Sequence, residues 1–401
     1  MTQTTDDARP GHVVRAAISD GSFSTKGYEA VPTNTRAAIC WEVGRHWEII
    51  DCTLADPRSG EVLVKLEYAG LCHSDDHNVT GDFPAALPVV GGHEGAGIVT
   101  AVGEGVDRVA VGDSVMLLPL PTCGKCRYCA DGRTYICDAN LDVLTGARAD
   151  GSFAFTTRDG RRVGAYGQLG TFSEYTLVQQ IRVMRYERDI PAQVAAVTSC
   201  GVITGYGSAV RAAGLRDGDT VVVVGTGGVG MSAVMGAAVA GAAQIIAVDP
   251  VAFKREQALK LGATHAAPSV DEAQALVSEL TRNRMADSAI ITVGVLHGDL
   301  IGPVSRLVGK GGNVVMTSVS PVTENTATLP LVEFAMSAKN LVGVVMGLTR
   351  PLADIDRIYA LYRAGRLPLD DLVTRTYKLD DINTGYEDMH RGVNLRGVIA
   401  F

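Results

Sequence analysis

With 401 residues, 46% hydrophobic and 20% charged, the chain exceeds one ordinary core and has a globular make-up, which excludes a disordered or membrane protein. A net charge of −8 argues against a duplex-binding surface, because phosphate binding draws on concentrated Lys and Arg. No run of about 18 or more uninterrupted apolar residues occurs, so no transmembrane helix and no membrane partner are expected.

Residues 1–35 are rich in Thr, Ser, Asp, Gly and Pro and lack the basic-then-apolar layout of a secretory leader. They read as a polar extension, either a loose tail or an arm lying on its own domain or a neighbouring subunit. A first strand is expected at 36–41, and 61–68 (EVLVKLEY) alternates apolar and polar as a half-buried strand does. In 88–101 (PVVGGHEGAGIVTA) the glycines let the backbone bend around His93 and Glu94. Another strand, 113–118, leads into a cysteine-rich loop. Residues 141–170, with the turn-formers ADGS and RDGR, read as an excursion before a strand at 171–178.

Near Cys200 the pattern changes. The apolar strand 220–224 is followed by GTGGVG, the helix-like MSAVMGAAVAGA and a second strand, IIAVD, which together make one βαβ unit. Strands expected at 289–293, 313–317 and 341–346 continue a parallel, doubly wound sheet. The remainder, about 350–401, carries two helical stretches and a short final strand, VIAF.

Four of the eight cysteines, Cys123, Cys126, Cys129 and Cys137, lie in one cluster, which in so large a chain points to metal binding and a reducing, cytoplasmic setting. Four thiolates on a short loop can close tetrahedrally around Zn²⁺ and leave no open position, so the site reads as structural. An iron–sulfur cluster and a set of free cysteines are the competing readings; the run lacks the trailing Cys-Pro of bacterial ferredoxins. A second set is dispersed: Cys72 in GLCHSDDH, His93 in GGHEGAG and Cys200 in TSCGVITG. Two thiolates and an imidazole suit a catalytic zinc with its fourth position open. Taken singly, each also reads as a buried small hydrophobe or a hydrogen-bonded histidine. In the nucleotide signal, Gly225, Gly227 and Gly230, with Gly228 and Val229 between them, follow a four-valine strand and open a helix whose N-terminus suits a pyrophosphate. Asp249 closes the next strand, placed to accept from both adenosine ribose hydroxyls, which favours NAD over its 2′-phosphorylated form.

From about Arg36 to Phe401 the chain resembles the zinc-containing medium-chain alcohol dehydrogenases. The resemblance rests on GLCHSDDH, GGHEGAGIV, CGKCRYC, TFSEYTLV, CGVITGYGSAV, GTGGVG and LRGVI. VLTGARADGSF, TVGVLHGD and LVTRTYKLDDINTGYEDM look most like the nicotinoprotein branch, assayed with N,N-dimethyl-4-nitrosoaniline, in which NAD stays bound and an external electron carrier reoxidises it. The implied fold is α/β: a Rossmann domain over 201–346 and a β-rich GroES-like catalytic domain made of 36–200, with the structural zinc loop 123–137, and 347–401. The resemblance implies two zinc ions per chain and NAD. Cys72, His93 and Cys200 become the catalytic-zinc ligands, Glu94 the acid that approaches the metal during ligand exchange, and Asp75 the carboxylate orienting His93. Ser74 and His77 become a proton relay through a cofactor ribose hydroxyl. Lys254 would contact the adenosine ribose, Arg396 the pyrophosphate, and Thr204 would border the nicotinamide. His73 stands where relatives often carry a phosphate-contacting basic residue. His46, His265 and His390 read as structural or solvated.

The implied reaction moves hydride between a small-molecule alcohol and NAD, giving an aldehyde or ketone, in a homodimer or homotetramer with no nucleic-acid partner. A thiol-dependent formaldehyde dehydrogenase acting on a mycothiol or glutathione adduct shares these features. A non-catalytic NAD-sensing scaffold would fit loss of a ligand or of the relay, and neither is lost.

Overall fold

The computed structural model describes residues 14–15, 33–140, 143–148 and 150–401. Most of the polar extension 1–35 lies outside them. Within it, Val14–Arg15 pairs antiparallel with Ala101 and Val102.

Six parallel strands form one sheet, in the spatial order His265–Ala267, Gln244–Val248, Thr220–Val224, Ala286–Ile291, Val308–Met316, Asn340–Gly343. Numbered along the chain this is 3-2-1-4-5-6, so the strand order reverses beside Thr220–Val224, where such sheets open a crevice at their carboxyl ends. All five residues of Thr220–Val224 are buried because both faces are covered. Val221 and Val223 join one core with Ile245, Ile290 and Val315. Val222 and Val224 join the other with Ile246, Ile291 and Val314.

The rest of the chain builds a mainly antiparallel sheet and a small barrel. The sheet runs Val183–Arg185, Ser114–Leu117, Gly95–Val102, Glu61–Gly70, Arg396–Ala400, Val373–Tyr377, with Tyr175–Gln179 also paired to Glu61–Gly70. The C-terminal strand thus returns to the first half of the chain, with Val398 opposite Gly70. The barrel closes through Thr33–Cys40, Glu48–Leu54, Phe155–Thr157, Arg162–Ala165 and Val89–Val90. This corrects the expectation for 141–170. The segment holds a hairpin that completes the barrel, and Phe155 is fully buried in its core.

A helical run joins the two sheets. Ala192–Val197 and Ile203–Gly207 are α-helical, whereas Thr198–Val202 and Ser208–Ala212 are π-helical. Val197, Ile203, Tyr206 and Ala209 share one core with Ala96 and Met116 of the antiparallel sheet and Val221 and Val223 of the parallel sheet. Burying a Val, Ile or Met side chain favours folding by about 1.5–3 kcal/mol, so both sheets are anchored to this run. No helix among the described residues is long and apolar enough to cross a membrane.

Candidate active site

Cys72 follows the strand Glu61–Gly70 after Leu71 and precedes the helix His73–Thr80, in extended conformation at its N-cap. His93 leads into Gly95–Val102, and Cys200 lies in the π-helical turn of the connecting run. π-turns are frequent at functional sites because they aim a side chain out of helical register. The potential ligand atoms of Cys72, His93, Glu94 and Cys200 lie within 4.8 Å of one another. His93 Nδ1 is 3.0 Å from Asp75 Oδ1, which also accepts the Gly92 N–H at 2.9 Å, whereas His93 Nε2 is buried without a hydrogen-bond partner. A buried imidazole nitrogen without a partner costs on the order of 1–3 kcal/mol, and a metal ion removes that cost. A hydrogen bond to Cys200, with His93 and Arg396 nearby, holds the Cys72 thiol well below its ordinary value against the effect of burial. The donor set therefore fits a zinc ion.

Glu94 is fully buried and does not point at the sulfurs alone. One oxygen accepts the Gly201 N–H at 3.1 Å, and the other takes a short contact from Arg396. Burial pushes its carboxyl up to about 7 despite the guanidinium. Arg396 thus faces Glu94 as well as the nucleotide cavity, and its Nε has no partner.

The second cysteine set also fits an ion. Cys123 and Cys129 sulfurs lie 3.9 Å apart, and those of Cys126 and Cys137 4.0 Å. Sulfurs about 2.3 Å from one tetrahedral centre stand roughly 3.8 Å apart, whereas a disulfide needs about 2.05 Å. Backbone N–H groups of Cys126 and Cys129 point at Cys123 and Cys126 sulfurs, favouring thiolates. The remaining pair, Cys40 and Cys52, are different. Burial pushes both thiols up to about 11, which leaves them protonated and inert.

Two cavities meet at Cys72, His73 and Val293. One, of about 460 Å³, is bordered by Gly225, Gly227, Asp249, Lys254 and Arg396. Gly225 has φ +89° and makes the turn out of the strand, and a Cβ on Gly227 would meet nothing within 4 Å. That free space at a helix N-terminus fits a pyrophosphate. Asp249 Oδ2 accepts the Thr226 N–H at 2.8 Å, so the carboxylate also fixes the loop. The other cavity, of about 330 Å³, includes Ser74, His77, Thr204 and Cys200 and has largely apolar walls, among them Phe83, Leu120, Leu144, Val319 and Met346. Ser74 Oγ is 3.8 Å from Cys72 Sγ.

Other expected residues lie apart. His265 bonds Thr264, and His390 Nε2 meets Asp76 Oδ2 at 2.6 Å, pinning the C-terminal helix to His73–Thr80. Tyr166 was not anticipated. Its ring lies edge-on to His93 at 5.7 Å and its hydroxyl donates to the Ser74 carbonyl at 2.8 Å. No local motif marks it, because 92 residues separate it from Ser74.

Residues 58–192 match the family model for an alcohol dehydrogenase GroES-like domain, and 228–360 that for a zinc-binding dehydrogenase. An NDMA-dependent alcohol dehydrogenase of Amycolatopsis methanolica is 48% identical over 91% of this chain and 98% of its own. Alcohol dehydrogenase B of Mycobacterium tuberculosis is 46% identical over 92% and 98%. Among solved structures, benzyl alcohol dehydrogenase from Acinetobacter calcoaceticus aligns with a TM-score of 0.85 at 30% identity, covering 92% of this chain and 99% of that one.

Proposed function

Because the chain belongs to the zinc-containing alcohol dehydrogenases, we propose that it oxidises uncharged, largely apolar alcohols on NAD that stays bound between turnovers. The observation that carries this reading is the convergence of Cys72, His93 and Cys200 around an unpartnered His93 Nε2, where an apolar cavity meets the nucleotide cavity. Cys72, His93 and Cys200 would hold the catalytic zinc, and Cys123, Cys126, Cys129 and Cys137 the structural one. When bound, the ion supplies a Lewis acid that makes a hydroxyl more acidic, and the nicotinamide accepts hydride.

The chain's own groups do the rest. Asp75 fixes the ring of His93 so that Nε2 faces the ligand sulfurs. Ser74 Oγ is positioned to take the hydroxyl proton, and His77, on the same cavity, to carry it outward. Apolar walls exclude water from the reacting atoms. No Lys, Arg, Asp or Glu is among the described residues lining the substrate cavity, so a thiol adduct's carboxylates would find no counter-charge there. Retention of NAD is supported by the relative's NDMA dependence and by a cavity lined from two parts of the chain, Asp249 and Lys254 from one, Met389 and Arg396 from the other. An external redox carrier would then complete the cycle.

Further support concerns assembly and setting. Leu331, Val332 and Met336, in the helix that precedes the edge strand Asn340–Gly343, are 72%, 78% and 82% exposed, which suits a homo-oligomer built on that edge. All eight cysteines stand unpaired, as a cytoplasmic protein's would.

The test is Cys72→Ser. Turnover of free primary alcohols is expected to disappear, metal content to fall from two ions to one, and NAD content of the purified protein to persist. Normal turnover, or activity only with added thiol, would refute the scheme.

A further inference from the structure

We propose that Asp82 is the positioning residue of the proton exit: it receives the His77 Nδ1–H, fixes which ring nitrogen serves the cavity, and opens the pair to solvent. The proposal rests on the relay reading of His77 given above. It adds a residue that neither the motifs nor the family resemblance assigned.

His77 is 2% exposed, so a proton arriving on its ring has no direct route to water. Its Nδ1 lies 3.4 Å from Asp82 Oδ2, a long contact of the kind that often tightens once substrate and cofactor are in place. The local fold makes the meeting. The helix His73–Thr80 ends at Gly81, whose φ of +84° reverses the chain and whose N–H bonds the His77 carbonyl at 3.0 Å. That reversal brings Asp82 back beside the ring five residues earlier. The Asp82 side chain is 25% exposed, so the pair runs from a dry end to a wet one.

Two contacts hold Asp82 in place. Thr80 Oγ1 donates to Asp82 Oδ2 at 2.6 Å, and the Val322 N–H, from the loop after Val308–Met316, donates to the Asp82 carbonyl at 2.8 Å. The Thr80 hydroxyl, then His77 itself, hold the Asp82 carboxyl below its ordinary value, so it is an anion at neutral pH. The other titratable groups facing the pair are His73 on the inner side, and His297, itself 3.4 Å from Glu324, on the outer.

With Nδ1–H given to Asp82, the ring's Nε2 keeps the lone pair that can accept a proton from the cavity side. The imidazolium formed is balanced by the carboxylate. Its Nδ1 proton then passes to Oδ2 and on to water, which leaves a neutral ring with its proton on Nε2. Regaining a proton on Nδ1 from water by way of Oδ2, and losing the Nε2 proton to water in the substrate-free cavity, restores the starting tautomer before the next turnover. The orienting part of this role is the one an aspartate plays behind a general-base histidine; Asp82, being partly exposed, also passes the proton on.

Asp82→Asn, Asp82→Ala, Asp82→Glu, His77→Gln and the Asp82→Asn/His77→Gln double variant should be compared as purified holoenzymes. Asp82→Asn and Asp82→Ala are expected to lose roughly 10-fold or more in kcat, to show a larger solvent deuterium isotope effect on kcat, and to keep their metal and cofactor content. Asp82→Glu should recover most of the rate. The double variant should be no slower than His77→Gln alone, because Asp82 acts through that ring. Additive losses, or Asp82→Asn with wild-type rate and isotope effect while His77→Gln is slow, would overturn the assignment of Asp82 alone. Normal turnover in His77→Gln would instead bring down the relay itself.

Discussion

Asp249 shows how one carboxylate can serve both the loop and the ligand. Oδ2 accepts from Thr226 N–H at 2.8 Å and Oδ1 from Val251 N–H at 2.9 Å, while the residue borders the nucleotide cavity at 5% exposure. Each oxygen has a second lone pair, so ribose hydroxyls can be accepted without breaking these bonds. A 2′-phosphate there would meet a buried negative charge. Asp249→Ser is therefore expected to weaken NAD binding by about 10-fold or more, since hydrogen bonds to a charged group contribute roughly 1.5–3 kcal/mol. The same change should raise NADP binding relative to NAD. Titrating cofactor-stripped protein with both nucleotides checks this; an unchanged ratio would refute Asp249 as the discriminating group. The position of Asp249, after Gln244–Val248 and beside the glycine turn, was legible in the sequence because strand, turn and acid recur at short range. Asp82 and Tyr166 were not, because their roles arise from a chain reversal and a barrel closure that no local spacing records.

At the scale of elements, the buried strand Thr220–Val224 and its helix Gly228–Val239 could be read from an apolar run and the glycines after it. The hairpin Phe155–Thr157 and Arg162–Ala165 could not. Its strands are three and four residues long, and the RDGR turn between them dominates the composition. Arg182 shows what such loops depend on. It is 1% exposed and donates to the Pro119 carbonyl, to Asn140 Oδ1 at 3.1 Å and to Gln168 Oε1 at 2.8 Å. One guanidinium thus ties the start of the cysteine loop, its end and the approach to Tyr175–Gln179. Burial lowers its pKa to about 10, which still leaves it charged at neutral pH. Arg182→Met removes the donor and leaves three half-buried acceptors without it, for a loss of about 3 kcal/mol and a fall in Tm of roughly 5 °C. Pro119 and Asn140 also line the substrate cavity, so KM is expected to rise more than kcat falls. Thermal unfolding with steady-state kinetics decides it: an unchanged Tm would mean that water replaces the side chain.

At the scale of the whole molecule, the parallel sheet has unequal edges. His265–Ala267 is partly buried and packed against neighbouring helices, whereas Asn340–Gly343 is largely exposed along its length. An open edge is a template for another chain, and natural proteins usually blunt it with charge or cover it. Here Leu341 is 37% exposed and Val345 39%, and the preceding helix Leu331–Met336 exposes Leu331, Val332 and Met336. None of these three is charged, and burying them against an identical patch would remove apolar surface at about 25 cal/mol per Å². A two-fold contact suits such a patch, since it sets the same edge against itself and leaves none open. The proposed oligomer predicts that Leu331→Glu with Met336→Glu yields a smaller species by light scattering, with Tm lowered and metal content unchanged. The paired-charge change costs little in a monomer, because both side chains are already exposed. A wild-type protein that scatters as a 42.1 kDa particle would refute the edge as an interface. It would leave the zinc and nucleotide assignments standing, since every residue proposed for those sites comes from one chain.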